Sequence, residues 1–151
     1  MRVLVACEFS GVVRDAFLSL GHEACSFDLL PSELPGPHVI GDVTWALAEP
    51  WDLVIAHPPC TYLCNSGVRW LKDNPGRWER LKQAKAFFKL CLRANAPRVA
   101  VENPIMHCHA RTGLPDYTQI IQPWQFGHGE TKSTCLWLKG LPALAPTEVV
   151  D

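Results

Sequence analysis

A chain of 151 residues, 48% hydrophobic and 19% charged, bounds one globular domain with room for a real core. No apolar run approaches the ~18 residues a membrane span needs, and Met1-Arg2-Val3 leads straight into an apolar strand pattern with no signal-peptide character. The net charge of −1 leaves no global footprint of a nucleic-acid binder, and seven cysteines without disulfide-framework spacing fit a reducing, cytoplasmic setting.

Val3–Cys7 is an apolar run that ends at Glu8-Phe9-Ser10-Gly11. Val12, Val13, Ala16, Phe17 and Leu20 then recur at helical spacing, with Gly21 as a C-cap. Ser10 is the expected N-cap, and the helix N-terminus would turn free amides and positive dipole toward whatever sits over the turn. Glu23–Asp28 reads as a second strand ending on a carboxylate, 17 residues beyond Gly11. That is the ribose-hydroxyl position of a nucleotide-binding βαβ unit, and equally a place for a helix cap or a solvated turn residue. Leu30–Pro37 holds three prolines and reads as a loop, and His38–Ile40 as a short third strand. Gly41-Asp42-Val43-Thr44 closes it, placing Asp42 at a third strand end, where Asp or Thr could instead cap a helix over Trp45–Ala48.

Trp51–Ala56 reads as a buried central strand of a parallel sheet. His57-Pro58-Pro59 stops it, because two prolines fix φ twice and remove two amide donors. The turn delivers Cys60 to the carboxyl end of the sheet, where open α/β folds build their sites. Cys60 is therefore a candidate nucleophile, set against the plain alternative of a small buried apolar residue. Asn65–Gly76, with Trp70, reads as a mobile surface loop able to act as a lid. Arg77–Ala94 reads as an amphipathic helix with Trp78, Leu81, Ala84, Phe88 and Cys91 on its core stripe. Between Thr61 and Arg98 nine Lys/Arg face two acids, a local net charge of +7. Such a run is commonly a solvated face, and here it also offers phosphate contacts.

Val99–Val101 reads as a fifth strand ending at Glu102-Asn103-Pro104. A carboxyl group entering the core there is expected to have a raised pKa unless it is paired. Beside a nucleophilic cysteine it makes a pair with chemical meaning. Ile105–Arg111 reads as helical, and Thr118–Gln122 and Thr134–Leu138 as strands, the short last connection suiting an antiparallel edge. No metal is expected: Cys60 and Cys64 with His107 and His109 match no standard ligand spacing.

Five short patterns thus fall in order at strand ends: Glu8-Phe9-Ser10-Gly11, Asp28, Gly41-Asp42-Val43-Thr44, Pro58-Pro59-Cys60 and Val101-Glu102-Asn103-Pro104. The set resembles the S-adenosylmethionine-dependent DNA (cytosine-5) methyltransferases, in the short phage and prophage form that lacks a target-recognition domain. The resemblance implies an α/β, Rossmann-like class I methyltransferase sheet, mostly parallel with an antiparallel edge strand. It places a catalytic domain at 1–140 and an irregular tail at 141–151. Glu8, Phe9, Ser10 and Gly11 would line the methyl donor, its carboxylate near the helix N-terminus. Asp28 would take the ribose hydroxyls and Asp42, beside Val43, the adenine amino group, with Pro58 on the same pocket. Cys60 would add to carbon 6 of cytosine while Glu102 holds and protonates ring nitrogen 3. Lys132 would stand in for an arginine that reaches the pyrimidine carbonyl, without the planar fork.

The departures are specific. Val13 occupies the place of the family's second glycine, and the stretch after Leu138 holds no counterpart of the recognition domain or the last family pattern. A second copy or a partner chain would then supply target reading. DNA is the implied substrate. RNA or a free cytosine nucleotide is the alternative, as is a non-catalytic remnant that binds nucleic acid or a methyltransferase partner.

Overall fold

A computed structural model describes residues 1–150; Asp151, the last residue of the expected tail, lies outside them. The chain alternates strand and helix: β1 (Arg2–Ala6), α1 (Val12–Ser19), β2 (Glu23–Asp28), β3 (His38–Ile40), α2 (Thr44–Ala48), β4 (Leu53–Ala56), α3 (Gly76–Leu92), β5 (Arg98–Pro104), α4 (Cys108–Arg111), β6 (Gln119–Ile121) and β7 (Thr134–Lys139). The strands form one seven-stranded sheet in the order β3-β2-β1-β4-β5-β7-β6. The first five strands in that order run parallel, and β7 pairs antiparallel with both β5 and β6. The reversed strand lies one place in from the edge, because the short β6 closes the sheet outside it.

The side-chain period of two explains the two faces of the sheet. Val3 and Val5 of β1 point to one face, where Val13, Phe17 and Leu18 of α1 cover them. Leu4 and Ala6 point to the other, into a larger core with Val54, Ala56, Val99, Val101, Phe88 and Cys91. The buried stripe of α3 is Leu81, Phe88 and Cys91, whereas Trp78 is 46% exposed, against the expectation of a core position. Trp78 instead meets His109 edge-on, with ring centroids 5.1 Å apart.

The stretch read as a mobile loop carries 3₁₀ turns over Asn65–Leu71. Leu71 is buried, Val68 packs on the core, and Cys64 forms an antiparallel bridge to Met106, so apolar anchoring replaces loop freedom. Among the described residues no helix is long and apolar enough to cross a membrane.

Arg14 is fully buried, which the sequence did not suggest for a charged residue on a surface helix. Its guanidinium donates to Asp15, Ser26, Ser32 and the carbonyls of Leu34 and Pro35 at 2.7–3.3 Å. It thereby holds the proline-rich segment 30–37 against α1. A Cβ at Gly36 would lie 2.7 Å from this guanidinium, so that position must stay bare. Replacing Arg14 by Leu should lower the unfolding free energy by about 2–4 kcal/mol, read from urea denaturation, since a fully buried hydrogen-bonding hub is lost and Ser26 loses a donor. A change under about 1 kcal/mol would show that apolar packing, not the guanidinium, holds the segment.

Candidate active site

The β4 tip is built to be stiff. The His57 amide donates to the Ala6 carbonyl at 2.9 Å, and the two prolines then deny the sheet further donors. Asn103, at the matching tip of β5, donates from Nδ2 to the Pro58 carbonyl at 2.8 Å. The carbonyl of Cys60 accepts from the amides of Leu63 and Cys64 at 2.9 and 3.0 Å, which winds the next residues into a tight turn. That turn is tied to the segment after β5: the His107 amide donates to the Leu63 carbonyl, and His107 Nε2 lies 2.9 Å from the Tyr62 carbonyl.

Ala56 pairs with Val101, so residue 57 stands beside residue 102. His57 Nδ1 lies 3.1 Å from Glu102 Oε2, each side chain 28% exposed. Glu102 is therefore the paired carboxyl group, not the lone one, of the sequence reading. Cys60 is a free, partly buried thiol. Burial raises its pKa above the ordinary thiol value, and the neighbouring Cys64 and the charge of Glu102 push the same way.

A second feature lies at the tips of β1, β2 and β3. A cleft of about 360 Å³ is lined by Cys7, Phe27, Asp28, Asp42, Val43, Pro59 and Phe87, among others. Asp28 Oδ1 accepts the Leu30 amide at 2.9 Å, and Asp42 Oδ1 accepts both the amide and the hydroxyl of Thr44. Those bonds hold the Asp42 pKa below the usual carboxylate range. Each acid thus acts as a local cap with one oxygen and keeps the other. Cys7 has a left-handed backbone, φ 60°, and its thiol is pushed up to about 12 by burial and then by the charges of Asp28 and Asp42.

The other residues expected at the donor and base lie as follows in the fold. Pro58 is buried against Asn103, and Pro59 lines the cleft in its place. Glu8, Phe9, Ser10 and Gly11 do not line it. Gly11, with φ 81°, is the N-cap residue, and the caps come from its neighbours: Ser10 Oγ accepts the Val12 amide and Glu8 Oε1 the Val13 amide, at 3.2 and 2.9 Å. The helix N-terminus is therefore filled by a carboxylate of the chain itself, which opposes a ligand carboxylate there. A Cβ on Gly11 would meet Arg14 at 2.7 Å and Leu34 at 3.0 Å, so this glycine serves protein packing. Lys132 is exposed, its amide donates to Gln122 Oε1, and among the described residues it makes no ion pair.

The sequence reading missed His57, Asn103, Cys7, Phe27 and Phe87. The signal for His57 and Asn103 was adjacency to the patterns already singled out. Nothing in the sequence marked the others. Glu8 is buried, and its second oxygen, Oε2, has no partner among the described residues. No three or more His, Cys, Asp or Glu among the described residues are placed to hold a metal ion.

Just after Cys60, two arginines pack against Tyr62. Arg80 donates to the Tyr62 hydroxyl at 2.8 Å, and the guanidinium of Arg77 lies 4.8 Å from the centre of the Tyr62 ring. Neither arginine pairs with a carboxylate among the described residues. They flank an open cleft of about 690 Å³ lined by Pro59, Thr61, Tyr62, Arg80, Gln83 and Phe87, with Glu79 its one acid.

No protein-family model matches the chain, and no curated protein does. Among solved structures it is similar to a protein described as a candidate DNA modification methyltransferase encoded within a prophage of E. coli, with a TM-score of 0.53 and 16% identity over 91% of this chain. The fold is that of the Rossmann-like methyltransferases. The match spans 46% of that protein's length. The 16S rRNA methylase RmtB aligns over 91% of this chain and 54% of its own, at 19% identity and a TM-score of 0.46.

The raised Cys60 pKa has a direct readout. Alkylation of Cys60 by iodoacetamide, followed by peptide mass spectrometry, should be slow at neutral pH and rise with a midpoint above that of an unperturbed thiol. Thiolate is the reactive form, and burial disfavours it. A midpoint at or below the ordinary thiol value would show that the site already stabilises the thiolate.

Proposed function

We propose that the chain is an S-adenosylmethionine-dependent methyltransferase that places a methyl group on carbon 5 of cytosine in DNA. The observation that carries this reading is a free thiol and a carboxyl group at the tips of two adjacent parallel strands, beside a cleft rimmed by two further carboxylates. Asp28 and Asp42 would hold the ribose hydroxyls and the adenine amino group, with Phe27, Val43, Pro59 and Phe87 against the adenine ring. The donor, when bound, supplies an electrophilic methyl group.

The chain's own residues make the other partner reactive. Carbon 5 of cytosine is a poor nucleophile. The Cys60 sulfur forms a bond to carbon 6 while Glu102 gives a proton to ring nitrogen 3, and the electron pair of the 5,6 double bond becomes available at carbon 5. Loss of the carbon-5 proton to water after methylation, with expulsion of the sulfur and return of the nitrogen-3 proton to Glu102, restores the ring. Burial favours the neutral thiol, so its deprotonation belongs to the complex with substrate, the proton passing to water as the sulfur attacks. In a duplex the base must first be flipped out. Arg77 and Arg80, unpaired and stacked on Tyr62 just after Cys60, support a polymeric substrate by offering phosphate contacts.

A second reading, a non-catalytic remnant, draws on Gly11 packed under Leu34 and on Val13 in the place of a second glycine. Calorimetry with S-adenosylmethionine separates the two: the catalytic reading expects binding that Asp28→Ala weakens about tenfold or more, the remnant none.

Transfer of tritiated methyl groups to DNA, RNA and deoxycytidine nucleotides then chooses the substrate. DNA should be labelled, and Cys60→Ser should abolish the labelling. The pair Arg77→Ala with Arg80→Ala should raise KM for DNA and flatten its salt dependence, leaving any transfer to a free nucleotide unchanged. Labelling retained by Cys60→Ser would reject the nucleophile assignment.

A further inference from the structure

The hydrogen bond between His57 and Glu102 gives the carboxyl group a partner that none of the sequence patterns includes. Glu102 Oε2 lies 3.1 Å from His57 Nδ1. Oε1 makes no hydrogen bond among the described residues, and no cation pairs with Glu102 apart from this ring. His57 itself cannot drift. Its amide is bonded to Ala6, it precedes two prolines, and the Pro58 carbonyl is held by Asn103. Its other ring nitrogen, Nε2, is buried and has no hydrogen-bond partner among the described residues. A buried N–H without an acceptor is the costlier arrangement, so the ring proton belongs on Nδ1, where Glu102 receives it.

We infer that His57 is the positioning residue for Glu102: it fixes one carboxyl oxygen so that the other faces the cytosine, and it stabilises the carboxylate left when the proton moves to ring nitrogen 3. The inference rests on the cytosine-5 reading above. The Cys60 thiol proton passes to water as the sulfur attacks, and the carbon-5 proton passes to water after methylation. In the proposed substrate complex, the proton shared with nitrogen 3 sits on Glu102 Oε1, while Oε2 accepts a hydrogen bond from His57. As the sulfur of Cys60 joins carbon 6, the Oε1 proton passes to nitrogen 3, and the new negative charge is shared toward the Nδ1–H donor. When the sulfur leaves and the ring double bond returns, nitrogen 3 gives the proton back to Oε1. His57 keeps its own proton throughout and touches no reacting atom.

Two substitutions separate positioning from mere support. Asparagine places an N–H donor at the position of Nδ1, whereas phenylalanine keeps a ring of similar bulk and has no donor. His57→Phe should lower kcat on DNA by about 100-fold or more with KM changed less than about twofold, and His57→Asn should restore most of that loss. The defect should shrink on DNA containing 5-azacytosine, read as the trapped Cys60 adduct. The extra ring nitrogen makes carbon 6 electron-poor, so less help is needed at nitrogen 3.

Independently of turnover, nitrogen-15 spectra of labelled histidine, with His57 assigned by its absence in His57→Phe, should show the proton on Nδ1 and Nε2 bare. Glu102→Ala should change that signature. Full activity in His57→Phe would overturn the inference. So would His57→Asn falling as far as His57→Phe, an equal loss on 5-azacytosine, or a proton found on Nε2 with Nδ1 bare. A wild-type chain that methylates none of the substrates fails the cytosine-5 reading instead, and the spectra still decide whether the His57–Glu102 pair exists.

Discussion

The turn His57-Pro58-Pro59 is where the sheet stops and the chemistry begins. Two consecutive prolines cannot donate to a neighbouring strand, so β4 must end there, and their fixed φ angles leave the next residue little choice of direction. The β5 tip secures the turn twice, through Asn103 on the Pro58 carbonyl and Glu102 on the His57 ring. Backbone stiffness and two side-chain contacts therefore set the geometry of Cys60. The Cys64–Met106 bridge and His107 on Tyr62 fix the far side of the same turn.

Polar groups elsewhere are organised by the same logic of satisfied burial. Arg14 spends its donors on the 30–37 segment, and that segment in turn lies over Gly11. The first βα turn is thus closed from above by protein. Glu8 caps α1 from within and leaves one buried oxygen free. This differs from a glycine-rich turn that opens its amides to an anion.

Charge is divided between the two clefts. Carboxylates rim the cleft at the tips of β2 and β3, while arginines and Tyr62 flank the one after Cys60. Pro59 and Phe87 line both, so the two clefts share a wall. The net charge of −1 conceals this division, because the basic residues of 61–98 are offset by acids elsewhere in the chain.

The sequence alone determined the alternation of elements, since runs such as Val3–Ala6 and Val99–Val101, and the prolines and glycines around them, act locally. It also placed Asp28 at a strand end and Asp42 and Cys60 just past one, because a strand end is a local property, whereas β5 runs on through Glu102 to Pro104 because β7 pairs with it. What it could not decide is what those ends face. Trp78 sits on a helical stripe with Leu81 and Phe88, yet α4 meets it at the surface, and only the placement of α4 settles that. Gly11 reads as room for a ligand, yet a guanidinium and Leu34 from a distant segment fill it. His57 gains its partner only when β4 and β5 lie side by side in one register, 45 residues apart along the chain. Contacts of that separation are fixed by the packing of the whole sheet.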